Sequence, residues 1–127
     1  MSLLKKIDCV MVRVDDLSAA RKFYKEALGL EPLWSDEHSL AFGMPETDAE
    51  IVLHDDPEIP RDCNVHYLVD DVLEAVKKLV QAGCTLSVPP FDLRIGKCAI
   101  ISDPTGNSLN LLDMTKGRFE YNLKKQP

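Results

Sequence analysis

The sequence repeats one pattern in its two halves. Residues 12–29, VRVDDLSAARKFYKEALG, align with residues 67–83, YLVDDVLEAVKKLVQAG, so that Val-Asp-Asp at 14–16 recurs at 69–71, an offset of 55 residues. Internal similarity at such a period indicates a duplicated supersecondary unit. A chain of 127 residues with 45% hydrophobic composition is long enough for one compact domain, so the repeat predicts a single domain made of two similar modules.

Each copy of the repeat predicts a strand that runs into a helix. Asp16 and Asp71 stand where a side-chain oxygen can accept the unpaired N–H groups of a first helical turn. Gly29 and Gly83 follow the last residues with helical spacing, and glycine is typical of the left-handed position that ends a helix. The predicted helices are residues 17–28 and 72–82.

Three short strands are predicted after each helix. The segments are LEPLW, SLAFGM and EIVLHD in the first half and TLSVP, KCAIIS and NSLNLLD in the second. Proline and glycine in GMPETDA and DPTGN predict the turns before the last strands. The fold class is therefore α+β, with two tandem βαβββ modules. Module one covers about residues 6–55, module two about 62–114, and a tail 115–127.

Alternation along the strands separates two faces, because successive side chains of a strand point to opposite sides. The apolar face, predicted to cover the helices, carries Val10, Val12, Val14, Ile51, Leu53, Val65, Tyr67, Val69, Leu109 and Leu111. The other face is mixed and carries Cys9, Met11, Arg13, Glu50, Val52, His54, Asn64, His66, Leu68, Ser108, Asn110 and Leu112. If the two halves curve toward each other, this mixed face forms one concave site.

Charge and apolar patterning limit the class of partner. With 15 basic and 21 acidic residues the net charge is −6, which argues against a nucleic-acid partner because phosphate binding needs clustered Lys and Arg. No apolar run approaches the ~20 residues that span a bilayer, and the N-terminus lacks the apolar core of a signal peptide. We therefore expect a cytoplasmic protein with no membrane partner. Four cysteines without a C-x-x-C pair are expected to be thiols: Cys9, Cys63, Cys84 and Cys98.

The repeat and two motifs resemble the vicinal oxygen chelate superfamily, which includes glyoxalase I, the extradiol dioxygenases, fosfomycin-resistance enzymes and bleomycin-resistance proteins. The motifs are V-x-D-D followed by A-x-x-F-Y-x-x-x-L-G, and DPTGNSLNLLD near the C-terminus. The resemblance covers about residues 6–114. It implies paired βαβββ modules that form a curved mixed-sheet cup, usually within a homodimer.

The resemblance also implies that the family's enzymes hold a divalent metal with side chains from the first and last strands of each module. Where the family has two histidines and a glutamate, this chain has Cys9, Asn64 and Asn110, and the remaining ligand position falls on Val52. An iron site of the dioxygenase type needs two imidazoles and a carboxylate. We therefore expect no metal and no other cofactor in this protein.

Several residues of the mixed face keep alternative roles. His66 lies two residues beyond the family's ligand position and is expected to be a hydrogen-bonding wall residue. The alternative is an atypical metal site of His66, His54 and Glu50. Arg13 is expected to pair with Glu50 or to receive an anionic ligand, with a solvated rim position also open. Cys9 is expected to be a small buried hydrophobe, or alternatively a thiol activated by Arg13 or His66.

Aromatic residues complete the predicted site. Trp34 and Phe91 either rim the cup, where a ring can stack on a flat ligand, or pack in the core. Phe42 is expected in the core, and so are Phe23 and Tyr24 by their helical spacing. The predicted ligand-binding residues are Cys9, Met11, Arg13, Trp34, Glu50, His54, Asn64, His66 and Asn110.

Three functions remain open from the sequence. The favoured one is a metal-free protein that binds a small organic molecule and sequesters or senses it, similar in principle to bleomycin-resistance proteins. The absent ligand set favours it, as does the negative charge, which suits cationic drugs. The second is an enzyme of glyoxalase or dioxygenase type with an atypical metal site, which rests on resemblance alone because a fold does not establish chemistry. The third is a regulatory or accessory subunit whose cup binds a metabolite.

Overall fold

The computed structural model describes residues 2–59 and 64–117, and these form eight strands and two helices. The strands are β1 (Lys6–Arg13), β2 (Glu31–Ser35), β3 (Ser39–Met44), β4 (Thr47–His54), β5 (Val65–Leu68), β6 (Thr85–Asp92), β7 (Lys97–Ser102) and β8 (Ser108–Leu112). The helices are α1 (Leu17–Lys22), continued by a π-helical segment (Phe23–Ala27), and α2 (Val72–Gln81). Each half is thus strand, helix, strand, strand, strand, and the predicted α+β class is confirmed.

The eight described strands form one mixed sheet in the order β2-β3-β4-β1-β5-β8-β7-β6. Within each half the first and last strands pair in parallel, β1 with β4 and β5 with β8. The halves join where β1 pairs antiparallel with β5. The two predicted modules therefore belong to one continuous mixed sheet, and both halves of the concave face belong to the same chain.

The predicted helix boundaries rest on local hydrogen bonds that the structure contains. Asp16 and Asp71 each accept a hydrogen bond of 3.1 Å from the backbone N–H three residues further along the chain. The glycines after the helices have positive φ, 70° at Gly29 and 109° at Gly83, which fits their predicted role as left-handed terminators. Neither helix of the described residues has the length and apolar character needed to cross a membrane.

The end of the first helix differs from the prediction of an uninterrupted helix to residue 28. Phe23–Ala27 is π-helical, and the N–H of Leu28 donates to the carbonyl of Phe23 at 3.2 Å. A π-helical turn contains more residues than an α-helical one and so changes which residues face the sheet. Phe23, the first residue of this segment, is 56% exposed, and its predicted core position is wrong. Tyr24 does pack on the buried Phe42, with ring centroids 5.9 Å apart, as predicted.

The apolar face covers the helices in both halves. In the first half, the buried Leu40, Phe42 and Leu53 pack with Val12, Val14, Leu17, Ala20, Tyr24 and Ile51. In the second half, the cluster of Val69, Val72, Ala75, Val76, Ala99, Ile101 and Leu111 packs with Tyr67 and Leu109. Val10 and Val65, which are paired where β1 meets β5, are outside both clusters. The mixed face is therefore left on the side of the sheet opposite the helices.

Two strands extend beyond their predicted ends. β4 begins at Thr47, because Met44 already pairs with Thr47, so that Pro45 and Glu46 alone make the turn. β6 continues to Asp92 with irregular register against β7, and this extension brings Phe91 to the cup. Cys9, Cys84 and Cys98 are thiols, as predicted. The predictions for Cys63 and for the tail beyond Gly117 lie outside the described residues.

Candidate functional site

A cavity of about 690 Å³ lies on the mixed face of the sheet, and we refer to it as the cup. Its size falls within the range that is typical of small-molecule sites. Both halves of the chain contribute to its walls. The lining residues are Asp8, Cys9, Met11, Trp34, Asp36, Ser39, Glu50, Val52, Asp56, Glu58, Ile59, His66, Val88, Phe91, Leu93, Arg94, Ile95, Cys98, Ile100 and Leu112.

A row of four buried polar side chains crosses the centre of the sheet. Glu50 of β4 is the cross-strand partner of Cys9, which is also the partner of His66 of β5. His66 is in turn the partner of Asn110 of β8. All four are at most 7% exposed, and the first three line the cup. The row Glu50–Cys9–His66–Asn110 therefore places a carboxylate, a thiol and an imidazole next to one another at the floor of the cavity.

The carboxylate of Glu50 is held by the only tryptophan. Trp34 Nε1 donates to Glu50 Oε1 at 3.0 Å, and Glu50 Oε2 is shielded from solvent. The Trp34 ring also packs against Cys9, Ala41 and Val52 on the cup side of the sheet. Of the two positions left open for Trp34, the structure shows the cup wall.

The imidazoles near the cup are shifted toward their neutral form. Burial lowers the pKa of His66 below its ordinary value; the hydrogen bond to the Asn64 carbonyl opposes this effect and nearby His54 reinforces it. His66 Nδ1 lies 3.4 Å from that carbonyl oxygen. Burial, followed by the positive charge of Arg13, likewise lowers the pKa of His54. When His66 Nδ1 carries the hydrogen and donates to the carbonyl, its Nε2 has the lone pair of a neutral base.

Asp8 is a lining residue that the sequence analysis did not single out, and strict alternation would place it with Val10 and Val12 on the apolar face. It lies between Ile7 and Cys9, where the pairing of β1 with β5 shifts by one residue. A bulge of this kind turns a side chain away from strict alternation. Asp8 is 5% exposed and lines the cup beside Cys9. An acidic residue within an apolar strand is the sequence signal that could have found it.

The charges around the cup are mostly negative. Among its described lining residues, five have carboxylates and one has a guanidinium, Arg94; the carboxylates belong to Asp8, Asp36, Glu50, Asp56 and Glu58. Excess negative charge in a cavity attracts cations and disfavours anions. The remaining walls are largely apolar and include Phe91 and Ile100 of the second half and Trp34 and Val52 of the first.

Four of the predicted ligand-binding residues do not line the cup. Asn64 and Arg13 line a smaller depression of about 250 Å³, together with Val10, Met11 and Val12. Asn110 is buried, and its Nδ2 donates to the Val65 carbonyl at 3.0 Å. His54 is 2% exposed, and its Nδ1 accepts from the Asp56 N–H at 3.2 Å. The structure thus brings five of the nine predicted residues into the cup: Cys9, Met11, Trp34, Glu50 and His66.

Of the three roles left open for Arg13, the pair with Glu50 is wrong. The Arg13 guanidinium donates to the Asp56 carbonyl at 3.2 Å, whereas Trp34 donates to the Glu50 carboxylate. Arg13 is at the end of β1, paired with His54, while Glu50 pairs with Cys9 four residues earlier. Four residues along a strand span ~13 Å, so two side chains on the same face of the sheet can still lie too far apart to pair.

The residues at the family's four metal positions do not fit a divalent ion. Val52 has no donor atom, and its cross-strand partner is Met11. The amide of Asn110 is engaged with the Val65 carbonyl, and Asn64 is exposed outside the cup. Among residues 2–59 and 64–117, no three His, Cys, Asp or Glu side chains form a group that could hold a metal ion. The alternative set of His66, His54 and Glu50 therefore forms no such group.

Comparison with known proteins agrees with this fold. A model of the Glyoxalase/Bleomycin resistance protein/Dioxygenase superfamily matches residues 6–111. The chain belongs to this superfamily. The CFP32 proteins of Mycobacterium bovis and Mycobacterium tuberculosis, described as proposed glyoxylases, are 30% identical to it over 116 residues. The match covers 80% of this chain and 43% of those relatives, so the superfamily member described here spans less than half of their length.

Solved structures of more distant sequence share the same architecture. Methylmalonyl-CoA epimerase from Mycobacterium tuberculosis superposes with a TM-score of 0.72 at 19% identity, covering 88% of this chain and 89% of that one. The hypothetical protein BH1468 from Bacillus halodurans has a TM-score of 0.68 at 15% identity, covering 85% and 93%. At these identities the similarity establishes only the fold of the superfamily member. Its chemistry has to be argued from the residues of its own cup.

Proposed function

We propose that this superfamily member binds a small organic molecule in its cup and sequesters or senses it. The observation that supports the proposal is the lining: a cavity of about 690 Å³ with largely apolar walls, two aromatic side chains and an excess of carboxylates. Such a site favours a ligand with an aromatic or otherwise apolar body and a neutral or cationic head group. It disfavours carboxylates, phosphates and other anionic ligands.

The test compares three probes that share one aromatic ring and differ in charge: benzylamine, benzyl alcohol and benzoate. A ligand that binds the folded chain raises its melting temperature with increasing concentration. We expect the shift to be largest for benzylamine, smaller for benzyl alcohol and smallest for benzoate. A larger shift with benzoate, or no shift with any of the three, would contradict the proposal.

We also propose that the cup binds its ligand without the family's metal. Val52 and the engaged amide of Asn110 support this, since together with Cys9 and Asn64 they provide at most one anionic ligand. Purified protein without an affinity tag should contain far less than one equivalent of Zn, Fe, Ni or Mn. Stoichiometric metal in the wild-type cup after dialysis would overturn the proposal.

The second candidate function is an enzyme of glyoxalase type, and the 30% identity to the CFP32 proteins favours it. The two functions are distinguished by turnover. Consumption of an α-oxoaldehyde in the presence of a thiol, at a rate that rises with added divalent metal and falls in His66 or Glu50 variants, would favour the enzyme. Saturable binding of the probes without turnover would favour the binding protein.

We further propose that the protein is a homodimer in solution. The superfamily resemblance supports this, and so do large apolar side chains on the surface, with Phe23 56% and Leu28 51% exposed. Light scattering at micromolar concentration should report about twice the chain mass of 14.2 kDa. A mass near that of one chain would count against the dimer.

A further inference from the structure

Cys9 and His66 are neighbours at the floor of the cup. They face each other across the antiparallel pair of β1 and β5, both line the cavity, and they are 7% and 6% exposed. Residues directly opposite in such a pair have Cβ atoms about 4.5–5.5 Å apart. A thiol and an imidazole at this separation can exchange a proton while the sulfur attacks a bound electrophile.

The local charges determine how such a pair can work. Glu50 borders Cys9 on the other side, and a carboxylate there opposes a permanent thiolate, because two negative charges would share a buried site. His66 is held toward its neutral form by burial, so it can accept a proton at Nε2. Proton transfer from Cys9 to His66 during the attack therefore fits the site better than a preformed ion pair.

We propose that Cys9 and His66 form a nucleophile and base pair that captures small aromatic aldehydes covalently and reversibly in the cup. The Cys9 Sγ atom forms a bond to the carbonyl carbon, and the π electron pair of the C=O bond moves to the oxygen. The thiol proton passes through His66 Nε2 to that oxygen. The product is a neutral hemithioacetal, so the step needs no oxidant, reductant or second reactant.

The ligand class follows from the walls. Trp34 and Phe91 line the same cavity and can contact a flat ring, while the carboxylate excess disfavours anionic electrophiles. The inference rests on the proposed function, because it requires that the cup admit a small organic molecule. Benzylamine has no carbonyl, so its binding tests the cup independently of the covalent step.

Cys98 supplies a matched internal control. It lines the same cavity and is 4% exposed, but its cross-strand partners are Leu112 and Phe91, which cannot act as bases. All measurements use the full chain with Cys63→Ser, which removes a thiol outside the described residues. Cys84, which packs against the cluster under α2, serves as a thiol away from the cup.

The first experiment adds benzaldehyde labelled with ¹³C at the carbonyl carbon and records the carbon spectrum. We expect a new resonance in the region of a tetrahedral carbon bonded to oxygen and sulfur, which is retained in Cys98→Ser and lost in Cys9→Ser. A resonance that persists in Cys9→Ser, or none in the wild-type protein, would overturn the proposal. If benzylamine still raises the melting temperature in that case, covalent capture fails and non-covalent binding stands.

The second experiment measures alkylation by iodoacetamide with peptide mass mapping. We expect Cys9 to react at least about tenfold faster than Cys98, since a positioned base commonly contributes more than this factor. His66→Gln should remove that advantage and leave the Cys98 rate unchanged, and His66→Asn replaces it if the glutamine variant does not fold. Equal rates for Cys9 and Cys98 in the Cys63→Ser protein with His66 intact would refute the pair without any His66 variant.

Discussion

Asp113 offers the sharpest test of how the second module is held together. Its side chain is completely buried at the end of β8. Oδ2 accepts from the Val72 N–H at 2.7 Å. Oδ1 accepts from the Lys97 N–H at 2.9 Å and from the N–H and hydroxyl of Thr115 at 3.2 and 2.9 Å. One carboxylate thus joins the first turn of α2, the start of β7 and the turn after β8.

Asp113→Asn keeps the shape of the side chain and removes one acceptor. If the amide oxygen takes the place of Oδ1, the amide NH₂ faces the Val72 N–H, donor against donor. At least one charge-assisted hydrogen bond is then lost, and a buried N–H remains without an acceptor. A hydrogen bond to a charged group contributes about 1.5–3 kcal/mol, and a buried unsatisfied donor costs about 1–3 kcal/mol. Because the two effects overlap, we expect a loss of about 2–4 kcal/mol.

Urea denaturation at neutral pH measures this loss. If the free energy of unfolding falls by about 2 kcal/mol per molar urea, the urea concentration at the midpoint of unfolding should fall by about 1–2 M. Asp103→Asn is the matched control, since Asp103 also accepts several hydrogen bonds, but in an exposed turn where water can replace them. It should lower the midpoint less. Equal losses in the two variants, or no loss in Asp113→Asn, would refute the assignment of Asp113 as a buried junction.

The pH dependence of stability provides a second test of Asp113. Burial alone would raise the pKa of Asp113, but hydrogen bonds from Val72, Thr115 and Lys97 outweigh it and hold the pKa below its ordinary value. The stabilisation is present above the unfolded pKa of about 4 and is lost as the pH falls through the folded value. The difference in stability between the wild type and Asp113→Asn should therefore narrow on acidification. A difference that does not change with pH would contradict this account.

Three further predictions follow from single residues. Gly96→Ala should destabilise the fold by more than about 2 kcal/mol in urea, because a Cβ there would overlap the Asp113 carboxylate and carbonyl; an unchanged midpoint would contradict it. Because burial lowers the pKa of His66, stability should fall as the pH drops below its unfolded value of about 6.5, and His66→Gln should reduce that fall between about pH 6.5 and 5. Glu58→Gln should weaken benzylamine binding about two- to fivefold by calorimetry, whereas Glu26→Gln, on the helix and outside the cup, should leave it unchanged.

The modules and their faces were predictable because they depend on neighbours in the sequence. Asp16 and Asp71 cap helices through hydrogen bonds three residues away, and the left-handed glycines end them within the same turn. Alternation placed Cys9, Glu50 and His66 on one face, and in the structure all three line one cavity. Helix ends and strand faces follow from local backbone geometry and from the spacing at which side chains repeat along a helix or a strand. They do not depend on which other elements the helix or strand packs against.

Position within a face was not predictable, because it depends on strand register. Arg13, His54 and Asn64 were assigned to the mixed face but lie outside the cup, since the period of two gives the side of a sheet and says nothing about distance along it. Asp8 lines the cup because a register shift between β1 and β5 turns it inward. This register shift cannot be predicted from the residues that neighbour Asp8 in the sequence.

The sequence by itself determined the duplicated α+β fold, the helix ends and the two faces of the sheet, since each follows from interactions within a few residues. Only the tertiary structure decided the composition of the site. Pairing between β1 and β5 placed Cys9 opposite His66, and the long β6 brought Phe91 to the cavity that Trp34 also lines. Such contacts join residues far apart in the chain, and their free energy is set by the packing of the whole sheet.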